Sequence, residues 1–213
     1  MRVRVLLGDD HAIVSEGLIR LLEPEFQVVS AVGDGRTLVS EAGRLRPDVV
    51  IFDIGMPLLN GIEAGAQIRT VLPTAKLVFL SQHSRKDYVQ AAFHVGGCAY
   101  VLKNSAAAEL VVAVREVLAG RHYVCSELQR RFPDVRLSGY ESPSEMFGND
   151  LTPRQREVLQ LIAEGKSAKE IAFALGISVK TVEFHKASIM DELGIRTTAE
   201  LTRYAIEQGI LSA

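Results

Sequence analysis

The chain has 213 residues, which is long for one simple domain and suits two modest domains, each large enough to bury its own core. Its 24 basic and 26 acidic side chains give a formal net charge of -2, so any nucleic-acid surface must be a local basic patch. The starting segment MRVRVLLGDDH has an apolar run too short for a signal peptide, and no later run is long enough to span a bilayer. We therefore expect a cytoplasmic protein with no membrane partner. Cys98 and Cys125 lack metal-ligand spacing and are expected to be free thiols.

Short apolar runs in the first half of the chain each end in a polar residue. The segments VRVLLGDD, VVIFD, KLVFLS and AYVLK are typical of buried strands, and helical patterns separate them. Strands that alternate with helices predict a parallel sheet with helices on both faces. We expect a doubly wound α/β domain of five strands over residues 1–121, with an amphipathic last helix from Ala106 to Ala119.

Charged and hydroxyl side chains follow these strands at the points where the strands end. Asp9 and Asp10 follow the first strand, Asp53 and Ser81 end two others, and Lys103 follows the run AYVL. Because the carboxyl ends of parallel strands meet at one edge of a sheet, these side chains should converge where open α/β folds bind ligands. Carboxylates held so close repel one another, and an oxygen-only ligand set favours Mg²⁺ over zinc or calcium as the compensating ion.

The second half of the chain has a different pattern. Residues 122–148 carry scattered proline, glycine and polar residues without sustained periodicity, which predicts a linker, although its aromatic residues would allow part of it to dock on a domain. Residues 149–213 predict an all-α domain of four helices.

The first of these helices has a clear start signal, because Thr152 suits the N-cap, Pro153 the first position, and Gln155 completes a capping box. A short helix ending before Gly176 and a longer one after Ser178 have the arrangement of a helix-turn-helix.

Two sets of motifs resemble known families. The residues D-D-H at 9–11, D-I-G-M-P at 53–57, Ser81 and K-N at 103–104 resemble the receiver domain of two-component response regulators. Residues 151–195 resemble the helix-turn-helix of LuxR-type transcription factors, and the pairing of the two is that of NarL/FixJ-type response regulators. The resemblance covers all of the chain except the linker. It implies a transcription factor rather than an enzyme, addressed by a sensor histidine kinase or a small phosphoryl donor.

The resemblance assigns roles to the residues at the strand ends. Asp53 is implied to be the nucleophile that becomes 4-aspartylphosphate, with Lys103 neutralising charge on the transferring oxygens. Mg²⁺ is implied to be held by Asp10, Asp53 and the backbone carbonyl of Gly55, with Asp9 orienting its waters.

The same resemblance implies a switch. Ser81 would donate to the phosphoryl group, and Tyr100 is the aromatic that turns between outward and inward rotamers, although a half-buried packing role is the alternative for Tyr100. His11 is expected to be a surface or packing histidine, because a carboxylate nucleophile needs no protein base. Gly55 and His83 occupy positions that tend to tune the lifetime of the phosphoryl group.

The DNA contacts are also implied by the resemblance. Phosphorylation is implied to promote a homodimer on double-stranded DNA, paired through Leu201, Tyr204 and Ala205 of the fourth helix. Glu183 could accept from a cytosine amino group and Phe184 could meet a thymine methyl, but a solvated charged face with Phe184 in a hydrophobic contact is an equal alternative. The candidate DNA contacts are Lys166, Lys169, Lys180, Thr181, Glu183, Phe184, His185, Lys186 and Ala187.

Two other classes of protein share these features. An aspartate-nucleophile phosphohydrolase has the same sheet but needs a second carboxylate two residues after the nucleophile, where this chain has Gly55. A regulator that no kinase addresses would use its receiver as a constitutive dimerisation module, and the complete set of acid-site residues argues against it.

Overall fold

The computed structural model describes residues 2–133 and 151–211, which form an α/β domain followed by a helical domain. In the first domain the strands are β1 (Arg4–Gly8), β2 (Gln27–Val32), β3 (Val49–Asp53), β4 (Lys76–Ser81), β5 (Gly97–Leu102) and β6 (Tyr123–Val124). Its helices are α1 (Ala12–Leu22), α2 (Gly35–Leu45), α3 (Gly61–Val71), α4 (Lys86–His94), α5 (Ala106–Leu118) and α6 (Ser126–Arg131). The second domain contains α7 (Pro153–Ala163), α8 (Ala168–Leu175), α9 (Val179–Leu193) and α10 (Thr198–Glu207).

The described strands form one parallel sheet in the order β2-β1-β3-β4-β5-β6. Every residue of β3 is buried, as expected for a central strand covered by helices on both faces. One apolar cluster on each face of the sheet forms the core of this domain, and a third cluster forms the core of the helical domain. The predicted doubly wound architecture and the helical second domain are confirmed.

The sheet has one strand more than the five that we predicted. The additional strand, β6, lies in the segment assigned to the linker, and α6 follows it with Leu128 buried at 1% exposure. Glu109 of α5 holds this segment, because its Oε2 accepts from the Tyr123 hydroxyl at 2.6 Å and from the Ser126 backbone N–H at 2.8 Å. A two-residue strand is too short to show an alternating pattern and could not be predicted from periodicity. The first domain therefore extends past residue 121.

The remainder of the predicted linker, residues 134–148, lies outside the described residues. Among the helices that the structure describes, none is long and apolar enough to cross a membrane.

The start of the helical domain follows the sequence signals closely. The Thr152 side chain accepts from the Gln155 backbone N–H, and Gln155 Oε1 accepts from the Thr152 N–H at 2.7 Å, which confirms the predicted capping box. Gly176 ends α8 with a left-handed φ of 63°, a conformation that favours glycine, and the chain then turns into α9.

The two domains contact each other through α7. The guanidinium of Arg156 on α7 forms an ion pair with Glu63 on α3, and the two side chains are only 5% and 7% exposed. Burial raises the pKa of the Glu63 carboxyl, and the neighbouring guanidinium opposes that shift. Glu157 adds two further contacts, accepting from Arg36 at 3.1 Å and from Gln67 at 2.8 Å. Polar residues of α7 therefore pack against α2 and α3.

We predict that Arg156→Met will lower the free energy of unfolding by about 3–5 kcal/mol, because it leaves the buried Glu63 carboxylate without its partner. The double variant Arg156→Met, Glu63→Leu should recover most of this loss, since it removes both charges. Urea unfolding followed by circular dichroism measures the difference. The control is Arg203→Met, whose pair with Glu207 is 72% and 62% exposed and should contribute less than about 1 kcal/mol. Equal losses for Arg156→Met and Arg203→Met would contradict the importance of the buried pair.

Candidate functional site

The strand-end side chains converge at the carboxyl edge of the sheet. Lys103, in the turn after β5, places its Nζ 2.7 Å from Asp9 Oδ2 and 2.7 Å from Asp53 Oδ2. All three side chains are nearly buried, at 10%, 1% and 9% exposure respectively. Burial by itself lowers the pKa of Lys103, but hydrogen bonds and attraction to Asp53 and Asp9 outweigh burial and raise it. The ammonium therefore stays charged between the two carboxylates.

Asp10 and His11 complete the group on its solvent side. His11 Nδ1 lies 2.7 Å from Asp10 Oδ1 and 3.2 Å from Asp9 Oδ1, and the His11 backbone N–H donates to Asp9 at 2.9 Å. His11 is 54% exposed and Asp10 is 35% exposed. His11 thus lies at the surface, one of the two placements that we expected, and its ring also contacts the two aspartates that precede it.

This geometry suits a hard cation. One ligand atom from each of Asp9, Asp10, His11 and Asp53 lies within 4.8 Å of the others. The three carboxylates share a single lysine ammonium, so negative charge exceeds positive charge at this site. Carboxylate oxygens gathered at this spacing, with one of them reachable from solvent, fit Mg²⁺ better than a softer metal. Gly55 follows two residues after Asp53, in the loop from β3 to α3.

Ser81 and Tyr100 belong to one hydrogen-bond network at the end of β4. Ser81 Oγ accepts from the His83 backbone N–H at 2.9 Å, and the Tyr100 hydroxyl donates to the His83 carbonyl at 2.8 Å. Tyr100 is fully buried rather than half-buried, and its burial raises the pKa of the hydroxyl. The His83 ring stacks on Tyr88 of α4, with centroids 4.3 Å apart. The structure thus joins Ser81 and Tyr100 through the backbone of the β4–α4 loop.

The candidate DNA face lies on α8, α9 and the residues before them. Lys180, Glu183 and Ala187 are exposed on α9, and Phe184 is 70% exposed with its ring edge-on to that of His185 at a centroid distance of 5.9 Å. Thr181, His185 and Lys186 are partly buried, while Lys166 and Lys169 are exposed. The Thr181 backbone N–H donates to Ser178, which caps α9. Phe173 of α8, at 92% exposure, was not singled out from the sequence.

The residues predicted to pair two copies are placed differently. Leu201 and Ala205 have no exposed surface, because they belong to the core of the helical domain together with residues of α7. Tyr204 is partly buried and packs against that core. Leu201 and Ala205 are therefore core residues of one copy, although the resemblance implied that they contact a second copy.

Comparison with known proteins agrees with both halves of this description. The family model for the response regulator receiver domain matches residues 5–115, and that for bacterial regulatory proteins of the luxR family matches residues 149–205. The transcriptional regulatory protein MctR of Rhizobium johnstonii is 38% identical over 213 residues, covering 99% of this chain and 96% of that protein.

Two solved structures of RcsB are also similar. RcsB from Salmonella enterica serovar Typhimurium, bound to a promoter in the presence of a phosphomimetic, is 28% identical with a TM-score of 0.60, covering 96% of this chain and 98% of that one. A structure of two RcsB dimers on two DNAs is 27% identical with a TM-score of 0.59 and has the same coverage. The chain belongs to the NarL/FixJ-type response regulators, transcription factors in which a receiver domain precedes a LuxR-type DNA-binding domain.

Proposed function

We propose that this response regulator is phosphorylated on Asp53, and that phosphorylation promotes dimerisation and sequence-specific binding to double-stranded DNA. The donor is a sensor histidine kinase or a small phosphoryl compound, and the protein acts in the cytoplasm. The observation that carries the proposal is the placement of the Lys103 ammonium 2.7 Å from both Asp9 and Asp53, beside the more exposed Asp10. This is an arrangement of one nucleophilic carboxylate, two further acids and a fixed positive charge.

Each residue of the acid site has a separate role in the proposed phosphoryl transfer. The Asp53 carboxylate attacks the phosphorus, forming an O–P bond as the bond to the donor's leaving group breaks, and needs no general base. Asp10, Asp53 and the Gly55 carbonyl would hold Mg²⁺, with Asp9 orienting its waters, and the bound ion supplies charge neutralisation for the transferring oxygens. Lys103 adds a second positive charge at the same place, already desolvated by its burial.

The response begins at Ser81 and Tyr100. In the structure the Ser81 hydroxyl accepts from the His83 N–H. A phosphoryl group on Asp53 offers Ser81 a strong acceptor, and turning the hydroxyl toward it changes the position of the β4–α4 loop. Because the Tyr100 hydroxyl donates to the same residue of this loop, the change reaches β5 and the surface around α4. We propose that this surface change favours the dimer.

DNA binding is assigned to the exposed face of α9. Lys180 and Lys186 are proposed to contact phosphates together with Lys166 and Lys169, while Glu183 and Phe184 are proposed to face base edges. Support comes from the exposure of all of these residues except Lys186, which is partly buried, and from RcsB, which has been solved on promoter DNA and as dimers on DNA. The receiver contacts α7 and leaves this face of α9 accessible.

The phosphoacceptor is tested by incubating the chain with Mg²⁺ and a small phosphoryl donor and measuring the intact mass. We expect one base-labile phosphoryl group on the wild-type chain, none on Asp53→Ala, and little on Asp10→Ala because its Mg²⁺ affinity falls. Asp87→Ala removes an exposed carboxylate of α4 and should be labelled like the wild type. Labelling of Asp53→Ala to the wild-type extent would contradict the assignment.

The DNA surface is tested by titrating labelled duplexes at several salt concentrations. Lys180→Ala and Lys186→Ala should weaken binding to every sequence and flatten the salt dependence by about one unit of slope each. Lys86→Ala, which removes a lysine from α4 of the receiver, is the control and should leave the slope unchanged. Glu183→Ala should instead relax the preference at one base pair by about 1–3 kcal/mol, while non-specific affinity stays equal or rises.

Selection of binding sites from a random library separates these roles. An identical selected profile for the wild type and Glu183→Ala would remove Glu183 from base recognition. An unchanged salt slope in both lysine variants would place the DNA surface elsewhere.

A further inference from the structure

The loop from β3 to α3, residues 54–60, follows directly on Asp53 and is tightly folded. The Gly61 backbone N–H donates to the Ile54 carbonyl at 2.8 Å, and Gly35 donates to the Pro57 carbonyl at 3.2 Å. A Cβ atom at Gly61 would lie 2.3 Å from the Asp53 carbonyl oxygen. The end of the loop therefore rests on the backbone of Asp53, and a displacement of Asn60 or Gly61 is transmitted to it.

Three other backbone groups of the loop find their partners on α7 of the DNA-binding domain or on Glu164, the residue that caps its C-terminal end. Gln160 Oε1 accepts from the Asn60 N–H at 2.7 Å, and Gln160 Nε2 donates to the Met56 carbonyl at 3.0 Å. The amide of Gln160 thus bridges the two ends of the turn from Met56 to Asn60. One helical turn later, Glu164 Oε1 accepts from the Leu58 N–H at 2.9 Å and from Gln160 at 2.9 Å.

The hydrogen bonds from Gln160 and Glu164 matter because this contact between the loop and the DNA-binding domain is closed to water. Gln160 is 1% exposed, Met56 is 2% and Asn60 is 6%, so water is a poor substitute for the amide. A buried backbone N–H or carbonyl that loses its partner costs free energy, which the loop could recover only by moving. The hydrogen bonding of the loop is therefore completed by the other domain.

Leu58 provides a second, independent observation that the conformation of the β3–α3 loop depends on the DNA-binding domain. Its φ is 64°, the left-handed region that a leucine seldom adopts. Its side chain packs against the core of the DNA-binding domain, beside the hydrogen bond from its N–H to Glu164. Such backbone strain persists only where the surroundings hold it, and here the holding contacts come from outside the receiver.

We propose that Gln160 is a positioning residue for phosphorylation of Asp53: the DNA-binding domain completes the β3–α3 loop and thereby raises the Mg²⁺ affinity and phosphorylation rate of the receiver. The proposal rests on the proposed function, because it concerns the loop that carries Gly55. Because the loop is already held in place, Mg²⁺ binding does not have to supply the free energy of ordering it. By reciprocity, Mg²⁺ bound at the acid site strengthens the contact between Gln160 and the loop.

The test uses Gln160→Met in the full chain, which keeps the length of the side chain and removes its hydrogen bonds. We expect the Mg²⁺ dissociation constant, measured by calorimetry, to rise about threefold to tenfold, as for the loss of one or two hydrogen bonds. The phosphorylation rate should fall by a similar factor at low Mg²⁺ and recover at saturating Mg²⁺. The backbone amide hydrogen of Asn60 should exchange with solvent faster in this variant than in the wild-type chain.

The matched control is Gln67→Met, the same substitution in the same domain contact. Gln67 donates to Glu157 at 2.8 Å and makes no hydrogen bond to the β3–α3 loop, so its variant should keep wild-type Mg²⁺ affinity. Equal Mg²⁺ affinity and equal Asn60 exchange in Gln160→Met and Gln67→Met would overturn the proposal. A wild-type chain that binds no Mg²⁺ would instead overturn the proposed function and, with it, this inference.

Discussion

Two buried carboxylates that share one ammonium are the interaction on which the rest of the structure depends. Asp9 follows strand β1 and Asp53 ends the neighbouring strand β3, and the two buried carboxylates would repel each other strongly without Lys103 between them. The parallel sheet makes this convergence unavoidable, because its strands all end at the same edge. A fold that gathers charge in this way is poised to respond when a metal ion or a phosphoryl group changes that charge.

The contact between the domains places the same edge of the sheet next to α7. Arg156 and Glu63 form a buried ion pair. Because separating the two charges would leave each one buried without a partner, the pair holds α7 in its position on the receiver. Gln160 then reaches the loop that follows Asp53. Helix α9 makes none of these contacts, and the loop after Asp53 is contacted from α7 and its C-terminal end. The residues after α10 also lie against the receiver, because a Cβ atom at Gly209 would lie 1.5 Å from the Tyr88 hydroxyl.

Much of this could be predicted from the sequence, and the exceptions have physical reasons. The strand ends were recognisable because apolar runs stop at a charged residue, and the helix starts because capping chemistry is local. Strand β6 was missed because two residues are too few to show an alternating pattern, and the contact of Tyr123 with Glu109 joins residues 14 positions apart in the chain. The role of Gln160 depends on partners 100 and 104 residues away, which no local pattern encodes. Leu201 and Ala205 were assigned to a dimer contact because the resemblance to LuxR-type domains implied it, and the sequence alone does not show that both side chains are buried within one copy.

The central claim is that charge added at the acid site changes the assembly of the whole chain. Sedimentation velocity over a range of protein concentrations, with and without Mg²⁺ and a phosphoryl donor, tests this claim most directly. We predict a shift from monomer to dimer that requires both additions and an intact Asp53. The same mass with and without phosphorylation at every concentration would contradict the account and indicate a receiver that serves as a fixed module.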